Sequence, residues 1–207
     1  MNNIPFEDKP IALRRGEHKQ EEFTKINPFQ KVPVIDDDGF ILTESAVIMR
    51  YLCEKYNLPE HWLPVADEKH SLRVAEYLNW HHAHTRLYEA MLFQTLVIVP
   101  KLKNKPINKK KVEFYRTAVR ETVKHLQNYF LKGRPYLCGE EMSIADLLAV
   151  CELMQLDSVL EEELYKSNQE VKQWVDRVKI RLQPHFDEAH IIPYRLRSAF
   201  GKIKPKL

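Results

Sequence analysis

Only five glycines, at positions 16, 39, 133, 139 and 201, punctuate the 207 residues, and no two lie close together. A P-loop and a Gly-x-Gly-x-x-Gly dinucleotide turn both need clustered glycines to bring backbone against phosphate. Both are therefore excluded. Scarce glycine alongside many Lys, Glu and Leu directs most of the chain toward helix.

The first third is the exception. Residues 5–13 read as a strand in spite of Pro10, and residues 21–26 as a short helix stopped by Asn27-Pro28. Val32-Pro33-Val34-Ile35 and Phe40-Ile41-Leu42 flank Asp36-Asp37-Asp38-Gly39. Apolar, largely β-branched runs about an Asp/Gly turn signal a hairpin. From Glu44 the period becomes helical as far as Tyr56, and residues 59–64 read as a linker between two proline stops. Beyond it only helices are expected. One spans residues 67–96, with Val74, Leu78, His81 and Thr85 in step, and a second spans 109–131, with Val112, Val119, Val123, Leu126 and Phe130 on one side. Pro100 and Pro106 bracket a break between them. Ser143-Ile144-Ala145-Asp146 is a capping box, in which the hydroxyl accepts from the Asp146 N–H while the carboxylate reaches back. It opens a helix to about residue 156, and residues 171–180 and 185–200 form the last helices.

Charge is nearly balanced, 32 Lys+Arg against 29 Asp+Glu, which gives no general reason for a polyanion partner. Lys101, Lys103, Lys105, Lys109, Lys110 and Lys111 cluster locally, but no aromatics interleave them, so they read as a solvated connection and not a nucleic-acid surface. Three cysteines form no Cys-x-x-Cys pair, and the odd count argues against a disulfide framework. The longest apolar runs are too short to span a membrane, and no secretory segment opens the chain. A reduced, cytoplasmic protein is expected.

Few constellations carry chemistry. His81-His82-x-His84 offers only His81 and His84 on one helical face, with no evident third ligand, so no metal is expected. The six serines fall in no Gly-x-Ser-x-Gly, and the triplets Asp36–Asp38 and Glu161–Glu163 read as solvated loop charge. The informative stretch runs from Lys31-Val32-Pro33-Val34 through the Gly39 turn to Thr43-Glu44-Ser45-Ala46. Pro33 removes a ladder donor where a strand begins, leaving the Val32 edge open to an extended peptide, and an X-Pro bond there can be cis. Glu44 and Ser45 sit at a helix start, where unpaired N–H groups receive an anion and a carboxylate receives an amine. Together these suit a zwitterionic amino-acid head joined to a peptide; a capped helix after a hairpin is the plainer alternative.

On these residues the chain resembles the cytosolic glutathione transferases, and most closely their theta class. The resemblance rests on Asn27-Pro28-Phe29-Gln30-Lys31-Val32-Pro33-Val34, Thr43-Glu44-Ser45-Ala46-Val47-Ile48, Trp62-Leu63-Pro64, Arg73-Val74-x-Glu76-Tyr77-Leu78-x-Trp80 and the box at Ser143. It implies a thioredoxin-like N-terminal domain (residues 1–60), an all-helical C-terminal domain (residues 66–207) and a homodimer. It further implies glutathione as co-substrate, with no cofactor, and small hydrophobic electrophiles as second substrates. By motif, Val32 presents its backbone to the cysteinyl unit before a cis Pro33. Glu44 and Ser45 hold the γ-glutamyl head, His18 and Lys31 meet the glycyl carboxylate, and Arg86 matches a basic residue at the theta active site.

One family feature has no counterpart. Theta enzymes carry a Ser-x-Pro-x-Arg-type motif whose serine hydroxyl stabilises the glutathione thiolate, and no such motif occurs in these residues. The expectation is an incomplete thioredoxin-like domain without that strand and helix, and no catalytic residue is assigned. Two functions follow: conjugation of glutathione to electrophiles, or a catalytically silent binding protein on the same fold.

Overall fold

The computed structural model describes residues 1–203; the expected helical domain's last residues, 204–207, lie outside the described residues. The chain divides into two compact units, Met1–Leu63 and a second from Pro64 onward.

The first unit holds a single two-stranded antiparallel sheet, β1 (Val34–Asp37) and β2 (Phe40–Thr43), paired Val34 to Thr43 and Asp37 to Phe40. Asp38 and Gly39 both take positive φ in the turn, and the Gly39 N–H donates to the Asp36 carboxylate at 2.8 Å. Two single-turn 3-10 segments, Leu13–Arg15 and Glu17–Lys19, precede α1 (Glu21–Ile26), and α2 (Ser45–Lys55) follows the hairpin. Residues 5–13 do not form the expected strand, and Phe6 is largely exposed. A strand is stable only with a neighbour to take its backbone hydrogen bonds, and among the described residues none lies beside this segment. The aspartates of the hairpin are also not merely solvated. Asp37 accepts from Lys55 Nζ and Tyr51 Oη of α2, and these bonds, the lysine's first, hold its carboxyl below the usual range.

The second unit is helical: α3 (Glu68–Ala83), α4 (Thr85–Phe93), α5 (Val99–Lys103), α6 (Lys109–His125), α7 (Ile144–Ser158), α8 (Glu163–Lys166), α9 (Gln169–Arg181), α10 (His185–Ala189) and α11 (Ile191–Ile203). The expected apolar faces are buried, including Val74, Leu78, Val112, Val119, Val123, Leu126 and Phe130. The expected single helix over 67–96 is interrupted at His84. Its ring Nδ1 takes the Trp80 carbonyl at 2.9 Å, the acceptor that a continuing helix would use for a backbone N–H. Pro100 does not break the chain as expected. It enters the first turn of α5, after a π-helical segment Gln94–Ile98, where a missing N–H costs little. The acids at 161 and 162 are a further correction. Arg116 donates to both Glu161 oxygens, at 3.0 and 2.5 Å, and Arg197 pairs with Glu162, so these carboxylates fasten α6 and α11 beside α8.

Asp146 ties the centre of this unit. α7 is largely buried, since helices pack it on several sides, and its start cannot rely on water for its free N–H groups. The Asp146 carboxylate, fully buried, accepts from the Ser143 N–H at 2.8 Å, the Ser143 hydroxyl at 3.2 Å, the Leu137 N–H at 2.9 Å and Trp174 Nε1 at 2.8 Å. The box expected from sequence is therefore formed, and the same carboxylate also ties the preceding loop and α9. Asp146→Ala takes the shared acceptor from buried donors of Ser143, Leu137 and Trp174, and should lower unfolding free energy by about 3–5 kcal/mol. Urea unfolding at constant m-value checks this.

Candidate functional site

Asn27, almost wholly buried at the end of α1, shapes the turn that carries the first candidate residues. Its side-chain amide donates to the Lys31 carbonyl at 2.6 Å, its oxygen accepts from the Phe29 N–H at 3.0 Å, and Gln30 takes positive φ. The chain leaves that turn through a cis Val32–Pro33 bond. Val32 is exposed, and among the described residues no backbone hydrogen bond engages it. Its edge is open to an extended ligand.

Hairpin register brings the second half to the same place. Val34 pairs with Thr43, so Val32-Pro33 and Glu44-Ser45 flank one end of the two-stranded ribbon. Glu44 is a non-glycine residue at φ 66°, and no side chain caps α2. Such a conformation costs on the order of 1–3 kcal/mol and is concentrated at functional sites. The free N–H groups of the first turn of α2 make an anion site beside the Glu44 carboxylate and the Ser45 hydroxyl.

His18 lies in the 3-10 turn after Gly16, half-buried, with a ring Nδ1 that has no hydrogen-bond partner among the described residues. The Lys31 side chain is exposed. The structure thus groups Lys31, Val32, Pro33, Glu44 and Ser45 at one end of the hairpin. Arg86 belongs to the second unit, on α4. Sequence reasoning missed Asn27 as the residue shaping the turn, since Asn before Pro signals only a helix stop. It also missed the strained Glu44, because no glycine marks that position.

Around Arg86 the second unit buries a polar cluster. Arg86 Nη1 donates to Glu152 Oε1 at 2.8 Å, and Gln155 Nε2 donates to the other Glu152 oxygen. His81 Nε2 lies 3.9 Å from Glu152 Oε1 without a hydrogen-bond partner, and burial pushes that imidazole down to about 3, so it is neutral. Tyr77 Oη lies 3.3 Å from both His81 Nδ1 and Thr85 Oγ1. Glu89 is fully buried, no side chain among the described residues pairs with its carboxyl, and burial, with the nearby Glu152 charge, pushes its pKa well up. Among the described residues no group of three His, Cys, Asp or Glu could hold a metal, and no helix is long and apolar enough to cross a membrane. Burial pushes the Cys53 thiol up to about 11 and the Cys138 thiol up as well, so neither is poised as a nucleophile.

Comparison with known proteins fits this two-part organisation. The model "Glutathione S-transferase, N-terminal domain" matches residues 1–54, and "Glutathione S-transferase, C-terminal domain" matches residues 90–181. The fold is thus a thioredoxin-like N-terminal domain followed by an all-helical C-terminal domain. Human glutathione S-transferase theta-2 is 39% identical over 99% of this chain and 83% of its own length. The bovine theta-1 enzyme is 34% identical over 96% of this chain and 82% of its own. A crystal structure of human theta-2 in complex with glutathione superposes with a TM-score of 0.91 at 38% identity, covering 97% of this chain and 82% of that one. A second human theta structure, holding the glutathione conjugate of 1-menaphthyl sulfate, gives 0.90 at 37% identity over 98% and 82% of the two chains. The chain belongs to the glutathione S-transferase family and is theta-like within it.

Glu89 yields a pH prediction. A carboxyl whose folded pKa is raised above 4.5 favours the fold fully at low pH, and that contribution is lost as pH rises toward the folded value. Glu89→Gln should remove this slope, so the stability difference between pH 5 and pH 8 should be smaller in the variant than in the wild type. Urea midpoints at the two pH values measure it.

Proposed function

We propose that this chain is a glutathione transferase that joins the glutathione thiol to small hydrophobic electrophiles. Residues 1–60 serve as the glutathione-binding domain and residues 66–207 as the helical domain. The observation that carries the reading is the hairpin end, where an unpaired Val32 edge and the uncapped start of α2 flank one point. A tripeptide with an amine and a carboxylate at its head needs such a pair of features.

In this reading Val32 pairs with the cysteinyl backbone, and the Ser45 hydroxyl with the α2 N–H groups receives the γ-glutamyl carboxylate. Glu44 receives the γ-glutamyl amine. His18 and Lys31 receive the glycyl carboxylate, and Arg86 is a substrate-binding residue within the helical domain. Cations for carboxylates and a helix start for an anion make charge-assisted contacts throughout. The protein is cytoplasmic and works as a homodimer. No Ser-x-Pro-x-Arg motif occurs in the 207 residues, so the reading assigns no thiol-activating hydroxyl among them. The attacking species is the thiolate, and none of the contacts assigned here reaches its sulfur.

Glu44→Ala and Ser45→Ala should each raise the KM for glutathione by about 10–100-fold, the weight of one charge-assisted hydrogen bond. The assay uses glutathione with 1-menaphthyl sulfate as electrophile. Conjugation unchanged by both substitutions would remove the proposed site. Glutathione binding by calorimetry without any turnover would establish the silent binding protein instead.

A further inference from the structure

Glu152 is a carboxylate almost entirely shielded from water, and the mechanism above gives it no task. A buried charge persists only when paired and hydrogen-bonded. Among the described residues two basic groups lie beside it. His81 sits 3.9 Å away, but burial holds it neutral. Arg86 is therefore the partner, at 2.8 Å, and its side chain is half exposed. Gln155, one turn along α7, donates to the second Glu152 oxygen and fixes the plane of the carboxylate. Among the described residues Arg86 makes no other hydrogen bond. One nitrogen of the guanidinium is thus anchored inward, on a side chain that is otherwise half exposed.

Glu89 strengthens the case. Lying on the same helix as Arg86, three residues on, it is fully buried, and among the described residues no side chain pairs with its carboxyl. It therefore does not compete for the guanidinium, and Arg86 is directed to one carboxylate alone. Without that anchor, a long side chain with free rotamers would sample many orientations over the surface of α4.

We propose that Glu152 is a positioning residue: held by Gln155, its carboxylate locks Arg86 in one orientation, so that the guanidinium meets the electrophilic substrate in a fixed geometry. This rests on the reading that Arg86 is a substrate-binding residue. Glu152 acts through Arg86 and touches nothing that reacts.

The test is a double-mutant cycle in the 207-residue chain, with glutathione and 1-menaphthyl sulfate. Glu152→Gln should lower kcat by about 10–100-fold with the KM for glutathione within twofold, as misplacing one positioning group does. Arg86→Ala should lower it at least as far, and the double variant should be no slower than Arg86→Ala alone. Multiplying losses, or an equal rise in KM, would show a merely structural role and overturn the proposal. Glu152→Asp, which keeps the charge but shortens the reach, serves if Glu152→Gln fails to fold, and should fall between wild type and Arg86→Ala. A second readout needs no turnover. The guanidinium ¹⁵N–¹H signals of Arg86 should show hindered rotation in the wild-type protein, and free rotation there would overturn the anchor. Absence of conjugation by the wild type would instead defeat the functional reading, and hindered or free Arg86 rotation would still decide whether Glu152 holds it.

Discussion

Four hydrogen bonds to one buried carboxylate organise the helical unit. Asp146 takes up both donors of Ser143, the Leu137 N–H and the Trp174 indole, and so joins the start of α7, the loop before it and α9. α7 can be buried because its start is satisfied internally rather than by water. Everything that meets α7 inherits that fixed position, including α4 with Arg86 across from Glu152.

The first unit depends on register in the same way. A slip of one residue in the β1–β2 pairing would turn each side chain to the opposite face and separate Val32-Pro33 from Glu44-Ser45. The Asp/Gly turn sets that register, and Tyr51 and Lys55 of α2 secure it through Asp37. Asn27 then fixes how the chain enters the hairpin. The candidate glutathione cradle depends on where the backbone of Val32 and of the α2 start lies, and these supporting side chains fix that position.

What could be read from sequence follows what is local. The hairpin is announced by Asp36-Asp37-Asp38-Gly39, the capping box by Ser143 and Asp146, and the helical faces by Val112, Val119, Val123, Leu126 and Phe130. The failures are non-local. The segment at Phe6 has strand-like residues but no neighbour to pair with. His84 breaks its helix through a ring contact with Trp80 that periodicity cannot reveal. Glu161 and Glu162 look like loop charge until Arg116 and Arg197 arrive from 45 and 35 residues away. Glu89 and Glu152 carry no signal, because a buried acid and an exposed one have the same letter. Of the candidate site, Val32, Pro33, Glu44 and Ser45 were legible through the proline and the helix start, whereas Asn27 and the φ of Glu44 were not.

The central claim is that glutathione binds at the hairpin end of the first unit. Titrating glutathione into the ¹⁵N-labelled chain while following backbone amide resonances tests it most directly. The account predicts saturable shifts at Val32, Glu44, Ser45 and Ala46, the amides at the open edge and the helix start. Shifts confined to other residues, or none at saturating glutathione, would contradict it.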